Sequence, residues 1–330
     1  MDDTITDSDS TIGDVFSSDG FSTTDTMSSV DTLDLDSLAE GRDTEDSRLI
    51  QRNGRVYYER ELDRYPWPMD LDARGRQQDM YNIALAHFDG YLFHAPIIEE
   101  PQKVLDIGTG IGAWAIDFAD VFRGSTVFGI DWVYLQADLG TPNVHFIIED
   151  VENYPGWYSE FRNVDYVHVG QIGHRVQNLR NILNGISRCC KPGAWVEFGD
   201  WVVELEDPNG PVHQWYVELQ LALSRYGYDL EFPILYSSTM EEKGFGGITI
   251  SDNRIPMSLN DTTHTMTSKA LLECWAYTLE DLSMEPMTEK LGHSAEYVHE
   301  LCSSAQRAIL TGGKNGYLNW RVIYGQVNHV

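Results

Sequence analysis

Residues 103–118 read Lys-Val-Leu-Asp-Ile-Gly-Thr-Gly-Ile-Gly-Ala-Trp-Ala-Ile-Asp-Phe. An apolar run ends in Asp106, three glycines follow at alternate positions (Gly108, Gly110, Gly112), and a helical pattern starts at once. Strand, acid, glycine turn and helix N-terminus together make a nucleotide cradle. Glycine lets the backbone pass close under a ligand, and the helix start presents unpaired N–H groups to it.

The segments around this stretch repeat its logic. Strands are expected at Val104–Ile107, Thr126–Asp131, Val144–Asp150, Val164–Gly170 and Trp195–Phe198. Helices are expected at Trp114–Phe122 and Leu179–Cys190, the latter closed by Lys191-Pro192-Gly193. Apolar strands that alternate with helices predict a parallel, doubly wound α/β sheet. Upstream, Arg74–Leu92 carries a helical pattern with Met80, Ile83, Ala84 and His87 on one face. Downstream, helices are expected at Val212–Tyr226, Ser268–Leu282 and Ser294–Leu310, with Ser294 as N-cap, and further strands at Gly247–Met257 and Tyr317–Val327.

Two ligand classes compete for the cradle. Gly108-x-Gly110-x-x-Ala113 satisfies the loose dinucleotide pattern, with Asp131 at a suitable distance for a ribose. Against it stand the extra glycine at 112, an acid rather than an apolar residue at 106, and a further acidic turn, Glu149-Asp150-Val151-Glu152. S-adenosylmethionine suits these features better, because it has no pyrophosphate to cradle and is cationic. Asp106 is expected to hold its methionine end and Asp131 to accept both ribose hydroxyls. Asp150 is expected to accept from the adenine amino group, with the N–H of Val151 nearby. Each acid has a plainer reading as a cap for the next helix. Three of them at successive strand ends favour the ligand, since ligands lie at the carboxyl ends of parallel strands. Trp132, beside Asp131, either stacks on the base, the reading its position favours, or is part of the core.

Bulk properties narrow the partners. The chain has 330 residues and a net charge of −29, which leaves no basic surplus for direct nucleic acid binding. No run approaches the ~18 apolar residues of a membrane span. Cys189, Cys190, Cys274 and Cys302 show no metal-ligand spacing and read as reduced thiols, so no metal site is expected. Residues 1–48 hold 14 acids against Arg42 and Arg48, with many Ser and Thr, and are expected to form a disordered acidic tail. Thr4 and Ser28 each have an acid three residues on, a weak kinase-like pattern, and the tail could serve as a solubilising or partner-binding arm. The rest divides into 49–100, an N-terminal helical cap; 101–206, the cofactor-binding core; and 207–330, a substrate cap with the last strands.

The residues quoted above, with Tyr65-Pro66-Trp67-Pro68-Met69-Asp70, Asp89 to Ile97, Pro142 to Phe146 and Lys191 to Glu197, resemble the fungal LaeA-like class I methyltransferases. The likeness covers roughly residues 50–330. It implies a Rossmann-like seven-stranded sheet with a reversed last strand, matched by Tyr317–Val327, and helical cap segments over the substrate. It also implies a place in fungal secondary metabolism, either as a tailoring enzyme with a small-molecule O or N acceptor or as a regulator acting through protein partners, in the cytoplasm or nucleus. Where that family commonly has Ser-Pro after the second acid, this chain has Trp132-Val133-Tyr134. Where it often has Arg after the fourth strand, this chain has Gly170-Gln171-Ile172-Gly173.

The acceptor is expected near Gly170–His174, at the end of the fourth strand. His174 is the candidate general base on position, whereas His168, inside the strand, reads as a hydrogen-bonded core histidine. The aromatic residues Trp215, Tyr216, Tyr226, Tyr228, Tyr236, Trp275 and Tyr277 either line an aromatic acceptor pocket or form ordinary core.

Overall fold

The structure, a computed structural model, describes residues 49–59, 62–133, 135–136, 141–313 and 315–328. The acidic segment 1–48 lies outside the described residues, and so does the disorder expected of it. The chain enters through a hairpin, β1 (Leu49–Arg52) and β2 (Arg55–Tyr58), and then α1 (Leu71–His87). Asp70 caps α1 by accepting from the Ala73 N–H at 3.0 Å, so the helix starts three residues earlier than its apolar pattern suggested.

Four parallel strands follow: β3 (Lys103–Ile107), β4 (Thr126–Asp131), β5 (Val144–Ile148) and β6 (Val164–Gly170). With β7 (Cys190–Leu205), β8 (Phe245–Pro256) and β9 (Gly316–Val327) they form one sheet of order β5-β4-β3-β6-β7-β9-β8. Strand β9 runs antiparallel between β7 and β8, the reversed strand that the resemblance implies. Strand β7 is much longer than expected. Gly199-Asp200 looks like a terminator in sequence, yet β9 pairs with β7 from Trp195 through Leu205 and supplies ladder hydrogen bonds across that point.

One face of the sheet is covered by α3 (Leu179–Cys189) and α5 (Tyr236–Glu242). Helix α3 buries Leu179, Ile182, Leu183, Ile186 and Cys189, spacings that keep one stripe on the sheet, and Asn178 caps its start. The other face carries α2 (Ala113–Val121) with Phe118 and Trp114 against Tyr166. A third core gathers the hairpin, α1, α4 (Pro211–Ser224), α6 (Met266–Tyr277), α7 (Leu279–Pro286) and α8 (Ala295–Thr311). The single helix expected over Ser268–Leu282 is two helices. They part at Thr278, whose hydroxyl bonds back to the Trp275 carbonyl at 2.7 Å. Ser294 caps α8 as expected.

The motifs that carry the family resemblance meet as joints of this fold. The buried carboxylate of Glu197 in β7 accepts from the N–H groups of His94 and Ala95 at 2.8 and 2.6 Å. The Trp114 indole donates to the Leu92 carbonyl at 2.7 Å. These contacts fix the 92–97 segment beside the carboxyl ends of β3 and β6.

Candidate active site

The glycine turn follows β3 directly. Gly108, Gly110 and Gly112 have φ of 74, 53 and 84°, the left-handed region that favours glycine. Their surroundings differ. A Cβ on Gly108 would lie 2.4 Å from Ile172, and one on Gly112 would lie 2.4 Å from the Phe146 ring. A Cβ on Gly110 would meet nothing closer than 3.8 Å. Gly108 and Gly112 make room for protein, and of the three only Gly110 turns its bare backbone to open space. That peptide is gripped on both sides: its N–H donates to Asp131 at 2.9 Å, and its carbonyl accepts from the Gln136 side chain.

A cavity of about 360 Å³ runs from this turn to the helical cap. It is lined by Asp106, Gly108, Gly110, Asp131, Trp132, Asp150, Val151, Gly170 and His174, so the structure brings all but one of the expected site residues to one space. The exception, Gly112, sits outside the lining as the N-cap of α2.

The acids are already engaged by the protein. Asp106, 2% exposed, accepts from the Thr109 hydroxyl at 2.6 Å and pairs with His168 Nδ1 at 2.7 Å. The His168 ring stacks flat on Trp114, 3.9 Å between centroids, so strand and helix hold it from two sides. His168 is hydrogen-bonded, as its strand position suggests, but it also lines the cavity. Asp131 is raised by burial, against the N–H groups of Gly110 and Val133 and the charge of Arg175, which pull it down. Burial also raises Asp150, but there Arg64 and the Asn153 N–H outweigh it, and the group lies below its ordinary 3.8. Arg64 donates to Asp150 at 2.8 Å and places its guanidinium 4.0 Å over the Trp132 ring. Asp150 further accepts from the N–H groups of Glu152 and Asn153, the plainer capping role.

Beyond β6, the turn 173–175 carries His174 and Arg175. Burial and the Arg175 charge hold His174 well below 6.5, so its imidazole is neutral. Its Nε2 accepts from Arg175 Nε at 3.1 Å, which leaves Nδ1 for another partner. Asp200 anchors the turn by accepting from the Gly173 N–H at 2.7 Å, the Tyr236 hydroxyl at 2.8 Å and the Trp201 N–H at 3.0 Å. Burial pushes Asp200 up to about 6 despite those donors. Sequence reading did not single out Arg64, Arg175 or Asp200. Each reaches the cavity through a contact distant in sequence or from an unremarkable loop.

Of the aromatic residues expected in a pocket or in core, Trp215, Tyr216 and Trp275 line the cavity. Tyr226, Tyr228 and Tyr236 are buried away from it, and Tyr277 is exposed.

Comparison with known proteins agrees with this geometry. Residues 78–230 match the family model described as a methyltransferase domain. The secondary metabolism regulator laeA of Fusarium oxysporum f. sp. lycopersici is 26% identical, over 86% of this chain and 93% of that protein. The methyltransferase pytC of Aspergillus terreus is 22% identical, over 89% of this chain and 93% of that protein. Among solved structures, phosphoethanolamine N-methyltransferase 2 of Haemonchus contortus, in complex with S-adenosyl-L-methionine, aligns with a TM-score of 0.51 at 19% identity. That alignment covers 84% of this chain and 62% of that one, and the likeness is one of fold. On fold, cradle and relatives together, the chain has the class I methyltransferase fold, carries a methyltransferase domain over residues 78–230, and is similar along most of its length to the laeA regulators and to the fungal methyltransferase pytC.

Proposed function

We propose that the protein methylates the oxygen or nitrogen of a small molecule held under the helical cap. The observation that carries this reading is the continuous cavity, which joins the glycine turn to Gly170 and on to the aromatic residues of α4 and α6. A surface cofactor pocket without that extension would suit a regulatory role better. On this reading 101–206 hold the cofactor, while 49–100 and 207–330 close over the acceptor.

The residues fit S-adenosylmethionine. Gly110 offers a bare backbone for close approach, and the carboxylate of Asp131 keeps lone pairs for two ribose hydroxyls beyond its backbone contacts. Asp106 presents a carboxylate, steadied by Thr109 and His168, toward the methionine end. Trp132 and Asp150, with Val151 beside them, form the seat for the base, and Gly170 floors the passage to the acceptor. When bound, the cofactor supplies an electrophilic methyl group on a sulfonium. The chain's own contribution is positioning and exclusion of water, which alone account for much of such a rate. With Nε2 accepting from Arg175, the neutral His174 carries its proton on Nδ1, so it takes the acceptor's proton only at Nε2, once Arg175 releases that nitrogen.

Calorimetry with S-adenosylhomocysteine tests the seat. Asp131→Ala should weaken binding by about tenfold or more, the cost of two hydrogen bonds to a charged group. Unchanged affinity would remove Asp131 from the site. Similarity to a secondary metabolism regulator favours a second reading, a regulatory methyltransferase acting through a protein partner in the nucleus or cytoplasm. Incubation of the full chain with labelled methyl donor and fungal extract separates the two: label in the small-molecule fraction supports the first, label in protein the second.

A further inference from the structure

Three arginines line the cavity, and among the described residues only two contact a carboxylate. Arg64 pairs with Asp150, and Arg76 pairs with Asp281. Arg175 has no carboxylate within ion-pair distance among the described residues, and the one hydrogen bond of its side chain there is from Nε to His174. Among the described residues, both terminal nitrogens of the guanidinium fork therefore lack a hydrogen-bond partner. Its neighbours offset the charge only at a distance: His174 is neutral, and Asp131 and Asp200 feel the charge without contacting it.

A second observation lies in the same place. The guanidinium sits over the faces of Trp67 and Tyr65, 5.0 and 5.6 Å from their centroids. Both rings line the cavity and are 2% exposed, yet the Trp67 indole N–H and the Tyr65 hydroxyl have no hydrogen-bond partner among the described residues. A buried donor left unsatisfied costs about 1–3 kcal/mol. Two such donors beside a cation that no carboxylate contacts, in a cavity built to hold a ligand, call for an acceptor with negative charge.

We propose that this corner is an oxyanion subsite, and that the methyl acceptor is an aromatic small molecule bearing a carboxylate or phenolate recognised by Arg175, Trp67 and Tyr65. The proposal rests on the small-molecule reading above and narrows it to a substrate class. A planar fork matches an oxyanion in two-point contact, and the surrounding indole and phenol rings match an aromatic body.

The test uses 1-hydroxy-2-naphthoate and its neutral isostere 1-hydroxy-2-naphthamide as probes. Both are titrated into the full chain, with and without S-adenosylhomocysteine. The carboxylate should bind about tenfold more tightly than the amide, the difference expected for a charge-assisted pair in a partly desolvated site. Arg175→Met should abolish that preference, Arg175→Lys should keep part of it, and Trp67→Phe, which keeps the ring and removes the N–H, should reduce it. S-adenosylhomocysteine should still bind all three variants, most weakly in Arg175→Met, which withdraws a positive charge from Asp131. Equal binding of the two probes, a preference that survives Arg175→Met, or no binding of either probe while S-adenosylhomocysteine still binds would overturn the subsite. Loss of S-adenosylhomocysteine binding by the unaltered chain would instead overturn the cofactor seat, and the two failures are read separately.

Discussion

Arg64 holds the two contacts that the proposed seat assigns to adenine. Its planar guanidinium stacks 4.0 Å over Trp132 and donates to Asp150 at 2.8 Å, as a base and its amino group would. Base and guanidinium compete for the same ring face and the same carboxylate, so cofactor binding has to displace Arg64. The side chain is 38% exposed, and an ion pair that open to water is worth at most about 1 kcal/mol. Arg64→Ala should therefore raise S-adenosylhomocysteine affinity modestly, by up to about fivefold, in calorimetry at low salt. Weaker binding in the variant would show that the guanidinium stays with the base and contributes to holding it. Ordinary stability should change little, because the segment around it is also tied by the Tyr228 hydroxyl to the Arg64 carbonyl, a contact the substitution leaves in place.

At the scale of elements, the cap is tied to the entry hairpin by the Arg52–Glu285 pair and, together with α1, by the carboxylate of Asp281. Asp281 of α7 accepts from Arg76 of α1 at 2.6 and 2.8 Å and also from Arg55 of β2, while Arg55 reaches back to Asp70, the N-cap of α1. Asp281→Asn leaves two half-buried guanidinium groups short of charge and should cost about 2 kcal/mol in urea denaturation, below the figure for a fully buried pair because these side chains keep some access to water. A loss under about 0.5 kcal/mol, the usual surface value, would mean that the network is solvated. No periodicity announces this joint, since its members lie 226 and 205 residues apart. Strands β4 and β6, by contrast, end where their sequence reading puts them, because an unbroken apolar run and a terminal acid or glycine are local signals. The same locality placed Asp106, Asp131 and Asp150 around one cavity in advance. It failed for the length of β7, where the distant β9 decides, and for the break at Thr278, where a side-chain hydroxyl competes with the helix ladder. It also failed for Arg64 and Arg175, whose partners only the folded chain supplies.

The whole molecule carries a net charge of −29 yet buries Asp200 at the centre of its cavity wall, 3% exposed. The direction of the resulting pH dependence follows from linkage. Burial raises the Asp200 carboxyl from 3.8 to about 6, so between those values the folded chain holds a proton that the unfolded chain has released. Stability contributed by this group is therefore present below the lower value and is lost as pH rises through the window, by up to about 3 kcal/mol. His174, on the same turn, acts in the opposite sense. Held well below 6.5, it lets the unfolded chain take up a proton first, so its share of stability is lost as pH falls from about 6.5. Comparing the unaltered protein with Asp200→Asn at each pH cancels the histidine and the overall charge. The variant's stability relative to the parent should climb between about pH 4 and pH 6 and stay level above pH 7. A difference that is flat from pH 4 upward would mean that Asp200 ionises at its ordinary value. The donors Gly173, Tyr236 and Trp201 would then be strong enough to cancel its burial, and the turn that carries His174 and Arg175 would rest on a fully charged anchor at every working pH.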